Sequence, residues 1–125
     1  MNLLLDTHAF LWWLVDPSTL ETEARDSIGD PDNRVFVSSV VVWELTLKQS
    51  IGKLKIPDDL DEALAHERFI HLPITIAHAR AIAQLPPIHR DPFDRMLVAQ
   101  ALVEGFHLVT RDPLVAQYPV AILRA

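Results

Sequence analysis

The sequence predicts an α/β fold, with a mostly parallel central sheet of four to five strands and helices on both faces. Three observations carry that prediction. Short apolar runs alternate with helix-like patterns along the whole chain, the order that builds parallel sheets from β-α-β units. The runs Leu3-Leu4-Leu5, Val35-Phe36-Val37 and Leu108-Val109 are continuously apolar, as expected of strands buried on both faces. No repeat, low-complexity tract or linker interrupts the alternation, so residues 1–125 read as a single domain.

Taken in order, Leu3 to Leu5 is a short buried strand, and Ala9 to Val15 an apolar helix ended by Asp16-Pro17. Ser18-Thr19-Leu20-Glu21 has the Ser-to-Glu spacing of a capping box and is expected to open a helix reaching Ile28. Arg34 to Ser38 is the second strand. Ser38 or Ser39 caps the next helix, which runs to Ile51 and stops at Gly52. A helix is expected from Asp58 to about Arg68, and a short strand from Phe69 to Leu72, closed by Pro73. Thr75 to Leu85 is a helix halted by Pro86-Pro87, and Pro92 to Glu104 a helix with Gly105 as its C-cap. Leu108-Val109 is the fourth strand and Val120 to Leu123 a fifth.

This arrangement brings distant acids together. In a parallel sheet all strands end on one side, and ligands bind in the crevice outside those ends. Asp6 follows the first strand, and Asp112 follows the fourth through Thr110 and Arg111. Asp94 lies in the first turn of the helix opened by Asp91-Pro92, and Glu44 on an otherwise apolar helix. Carboxylates that converge repel one another and are stable together around a cation. Each acid also has a structural reading. Asp6 and Asp91 are good N-caps, Asp94 suits a helix dipole, Asp112-Pro113 repeats the Asp-Pro cap, and Glu44 stands four residues before Lys48. Thr110 offers a hydroxyl beside the same cleft. Arg90 and Arg95 flank the Asp91–Asp94 turn, where they can contact phosphate or offset negative charge.

The rest of the composition narrows the chemistry. There is no cysteine, which excludes disulfides and thiolate sites. Only three glycines occur, with no phosphate-cradling loop and no Gly-x-Ser-x-Gly elbow. The six histidines show no i,i+4 zinc pair; His89 precedes the Asp91–Asp94 turn and can support its acids from behind, but a surface role is favoured. Trp12, Trp13 and Trp43 lie on apolar helices and are expected in core or interface packing. The start of the chain reads as a strand and not as a signal peptide or membrane span, so a soluble cytoplasmic protein is expected. A net charge of −6 argues against a general nucleic-acid binder, because phosphate affinity normally comes from Lys and Arg. An enzyme that engages a short stretch of nucleic acid through metal ions escapes part of that objection.

Five segments carry a resemblance to a known family. They are Leu4-Leu5-Asp6-Thr7-His8, Trp43-Glu44 with Gly52-Lys53-Leu54, His89-Arg90-Asp91-Pro92-Phe93-Asp94-Arg95, Ala99-Gln100-Ala101, and Leu108-Val109-Thr110-Arg111-Asp112. Together they resemble PIN-domain proteins, and among these the VapC-type toxins of bacterial toxin–antitoxin pairs. The resemblance implies a PIN-like three-layer sandwich. It implies Asp6 and Asp94 as direct Mg²⁺ or Mn²⁺ ligands, with Glu44 and Asp112 completing an acidic quartet partly through water. Asp91 is an additional acid of this branch. The implied activity is Mg²⁺-dependent endoribonuclease action by metal-activated water. The implied partners are an RNA substrate and a cognate antitoxin, in a homodimer or a higher hetero-oligomer with that antitoxin. Two other classes fit the same fold: a non-catalytic interaction module whose acids cap helices, and a phosphotransfer or receiver-like domain. A haloacid-dehalogenase-like enzyme would want a second Asp two residues after Asp6, where this chain has His8.

Overall fold

Leu3, Leu4 and Leu5 are all fully buried. Successive strand residues point to opposite faces, so a strand buried at every position is covered on both sides. That is the centre of the fold. The computed structural model describes residues 1–53 and 60–125; the expected helix start at Asp58, and Leu54, lie outside the described residues. The elements are β1 (Asn2–Leu5), α1 (Thr7–Val15), α2 (Thr22–Gly29), β2 (Arg34–Ser38), α3 (Ser39–Ser50), α4 (Leu60–His66), β3 (Ile70–Leu72), α5 (Ile76–Ala81), α6 (Pro92–Glu104), β4 (His107–Thr110) and β5 (Ile122–Arg124).

The described strands form one sheet in the order β3-β2-β1-β4-β5, and every neighbouring pair is parallel. The chain lays β2 and β3 on one side of β1, then returns to lay β4 and β5 on the other. The order therefore reverses between β1 and β4. Their register aligns Leu5 with Val109, and the Asp6 amide donates to the Val109 carbonyl at 3.1 Å. Each large aliphatic or aromatic side chain buried in this core, such as Phe10, Leu97 or Leu108, contributes about 1.5–3 kcal/mol through its removal from water.

Helix ends follow local chemistry. Asp6 caps α1 and Ser38 caps α3 by accepting from Ala9 N and Val40 N. Asp91 caps α6 ahead of Pro92, and Gly105 ends it in the left-handed conformation, φ 74°. Helix α5 opens with a capping box in which His78 takes the usual Glu or Gln position. His78 is fully buried; its Nδ1 accepts from Thr75 N and its Nε2 lies 2.8 Å from Glu104 Oε1, tying α5 to α6.

Three expectations fail. The capping box at Ser18–Glu21 does not form. Pro17–Thr19 is a single 3-10 turn, Ser18 donates to Asp16, and α2 starts at Thr22 with no side-chain bond at Glu21. Leu20 explains the break, because it is drawn into the core with an extended backbone, φ −70° and ψ 146°, which no helix contains. Helix α1 starts two residues earlier than expected, because Asp6 is its cap. Helix α5 stops at Ala81 and passes into a 3-10 turn, Ile82–Gln84.

Candidate active site

The carboxyl ends of β1 and β4 open onto a cleft of about 440 Å³ lined by the four predicted acids, Asp6, Glu44, Asp94 and Asp112. It lies where the strand order reverses, the place a doubly wound sheet leaves a crevice. The lining includes Asp91, Lys48 and Arg111 besides.

Asp6 is buried, with Oδ1 held by the Ala9 amide at 2.8 Å. Burial pushes its pKa up, while hydrogen bonds with Thr110 and Ala9 pull it back, and the nearby Asp112 adds to the rise. Thr110 is buried beside it, and its Oγ1 also accepts from the Asp112 amide at 3.1 Å. Glu44 is buried on α3. Its Oε1 accepts from the Thr7 hydroxyl and its Oε2 from Lys48, so the i,i+4 ion pair exists and its carboxylate also lines the cleft. The bond from Glu44 is the main cause holding the Lys48 pKa up, with Asp91 and Asp94 adding to it.

Asp94 carries the largest perturbation. Burial first, then the charge of Asp91, raise its pKa to about 7, with smaller contributions from Glu44 and Asp6; His89 opposes them. Asp112 moves the other way. Burial alone would raise it, but bonds from His89 and from the Leu114 and Val115 backbones hold it below the ordinary value. Asp91 Oδ1 accepts from the Phe93 and Asp94 amides, which is the cap geometry.

His89 was expected at the surface and stands instead between two of the acids. Its Nε2 lies 2.8 Å from Asp112 and 3.1 Å from Asp94, and its side chain is only 13% exposed. Its Nδ1 accepts from the Asp91 amide at 3.0 Å, which places the ring proton on Nε2 as donor to both carboxylates. The loop before α6 folds back because Arg95 grips it. Arg95 donates to the carbonyls of Pro86 and Ile82 and to the Tyr118 hydroxyl, and it does not line the cleft. Arg90 is exposed and does not line it either.

Among the described residues, the tightest group of possible ligands is His89, Asp94 and Asp112, with one donor atom each within 4.8 Å of one another. With Nε2 protonated, His89 donates there and does not ligate. The remaining donors are carboxylate oxygens, the set that suits a hard divalent cation. Burial, joined by the charges of Asp91, Glu44 and Asp6, lifts Asp94 towards pH 7, and a cation among these oxygens relieves the repulsive part, so the residues present fit a metal. Trp12 lines the cleft, and Trp43, largely exposed, meets Phe93 edge-on at 4.9 Å. His89 was legible only as the residue two before a capping Asp, and Arg111 only as a neighbour of Asp112.

The model of the PIN domain matches residues 3–120. The chain belongs to the PIN-domain family. It is 32% identical over 115 residues to ribonuclease VapC22 of Mycobacterium tuberculosis, covering 89% of this chain and 87% of that protein. The PIN fold is shared with solved structures at lower identity. In a structure of VapBC2 from Rickettsia felis bound to a DNA fragment from its promoter, one chain matches with a TM-score of 0.76 at 17% identity, covering 98% of each chain. FitAcB from Neisseria gonorrhoeae matches with a TM-score of 0.62 at 21% identity, over 98% of this chain and 96% of that one.

Proposed function

We propose that this PIN-domain chain is a metal-dependent endoribonuclease and the toxin of a toxin–antitoxin pair. The observation that carries this is the convergence of Asp6, Glu44, Asp94 and Asp112 in one cleft at the reversal of strand order. The identity to a VapC ribonuclease over most of both chains supports it. Asp6, Asp94 and Asp112 are the proposed ligands, and Mg²⁺ the proposed ion, with Mn²⁺ able to substitute. A divalent cation held by these oxygens supplies a water of lowered pKa and offsets charge on the phosphate and the leaving oxygen. The chain itself supplies orientation. Thr7 and Lys48 fix the Glu44 carboxylate, Thr110 and the Ala9 amide fix Asp6, and His89 keeps Asp94 and Asp112 from springing apart. No side-chain nucleophile is needed.

The proposed setting is the cytoplasm, with residues 1–125 acting as one nuclease unit. Among the described residues, no helix is long and apolar enough to cross a membrane. The proposed partner is a cognate antitoxin, in a homodimer or larger hetero-oligomer. Trp43, Leu47 and Ile51 support it, forming an exposed apolar stripe at four-residue spacing along and just beyond α3, beside an acidic cleft that would receive a basic side chain.

The purified chain with Mg²⁺ should cut RNA, and chelation should stop it. Asp6→Asn and Asp94→Asn should each lose cleavage while keeping the fold, since Asn caps α1 as Asp does. Full cleavage by either variant would remove the proposal.

A further inference from the structure

Arg111 poses a physical problem. The chain carries a net charge of −6, and among the described residues the lysines and arginines lining the cleft are Lys48 and Arg111. Lys48 is committed to Glu44. Beyond a bound metal ion, a phosphate passing beside four carboxylates is favoured by a side-chain cation that faces it. Arg111 Nε and Nη2 donate to the Ala125 carbonyl at 3.1 and 2.7 Å, and Nη2 also donates to the Thr19 carbonyl at 2.6 Å. Its guanidinium carbon lies 4.3 Å from the centre of the Trp12 ring. Carbonyls on one edge and a ring on one face leave the group with almost no freedom. Its Nη1 has no hydrogen-bond partner among the described residues.

We infer that Arg111 is a phosphate-binding residue, a pre-organised cation that takes a backbone phosphate of the RNA strand beside the acidic cluster. The inference rests on the ribonuclease reading for its ligand. An arginine already fixed by its neighbours loses little side-chain freedom when it binds. The commitment of Nε and Nη2 predicts a single-point contact through Nη1. The competing account is a brace that joins the segment after β4 to Thr19 and the end of β5.

The test measures binding of a short single-stranded RNA to the chain in an uncleaving Asp6→Asn background, at several salt concentrations. Arg111→Gln should weaken binding roughly tenfold or more. It should also flatten the slope of log Kd against log salt by about 0.7, the loss of one phosphate contact on a single strand. Arg111→Lys should restore the slope, because charge returns without the fork. Melting temperatures of both variants report the brace separately. If Arg111→Gln melts lower but binds with unchanged slope, Arg111 is a brace and the inference is overturned. If the parent background binds no RNA, it is overturned as well. If the slope falls as expected but the intact chain with Mg²⁺ cuts nothing, the phosphate contact stands and the ribonuclease reading falls.

Discussion

At Asp94 burial and the neighbouring acids outweigh the single histidine that opposes them, leaving a carboxyl that titrates at about 7. The sign of the consequence is fixed. The unfolded chain ionises this group near 3.8, while the folded one keeps its proton to about 7. Between those values the native state binds more protons, so the contribution of Asp94 to stability falls as pH rises through the window and levels off above it. Asp6, also raised, acts in the same direction, and Asp112, lowered, acts against it. The contribution of Asp94 is therefore read as a difference. In metal-free buffer, Asp94→Asn should melt higher than the parent at pH 8, and the gap should close by pH 4. An equal gap at both pH values would show that Asp94 is not the group that titrates.

At the scale of the element, α6 does two jobs with one residue. Asp91 caps its N-terminus and also lines the cleft. Asp91→Ser should keep the melting temperature and most of the RNA cleavage, because Ser caps comparably; Asp91→Ala should cost about 1 kcal/mol of stability. Loss of cleavage in both variants, with stability kept in the Ser variant, would make Asp91 a ligand. Helix α6 was legible at both ends because Asp91-Pro92 and Gly105 are local signals, settled by backbone bonds within a turn. Ser18–Glu21 carried an equally good local signal and misled, because burial of Leu20 is a demand of the distant core. The same distinction divides the site. Asp6, Asp94 and Asp112 could be read because each follows a strand or opens a helix, and Glu44 because it is an acid on an otherwise apolar helix. His89 and Arg111 could not, because their roles depend on loops held by Arg95 and by the carbonyls of Thr19 and Ala125.

At the scale of the whole molecule, the single reversal of order in the parallel sheet gathers Asp6, Glu44, Asp91, Asp94 and Asp112 at one end of the fold and makes it electronegative. Binding of a cation to the native state alone should then stabilise the entire domain. At a hundredfold excess over its dissociation constant, Mg²⁺ should add about 2.7 kcal/mol. The measurement is a melting curve with and without Mg²⁺ at constant ionic strength, with Asp6→Asn and Asp94→Asn as controls that should lose most of the rise. A rise of equal size in the controls would place the ion elsewhere.

The pairing of β1 with β4 also sets a timetable. Leu5 and Val109 are register partners, yet about a hundred residues of chain separate them. A ribosome making this protein has released Asp6 long before Thr110, Arg111 and Asp112 exist. Until β4 slots in beside β1, the nascent polypeptide has half a cleft and cannot attack the very transcript that encodes it. A product truncated before residue 107 lacks Thr110 and Asp112 and leaves the Leu3–Leu5 edge of β1 unpaired, so premature termination should yield an inactive, aggregation-prone fragment and not a rogue nuclease.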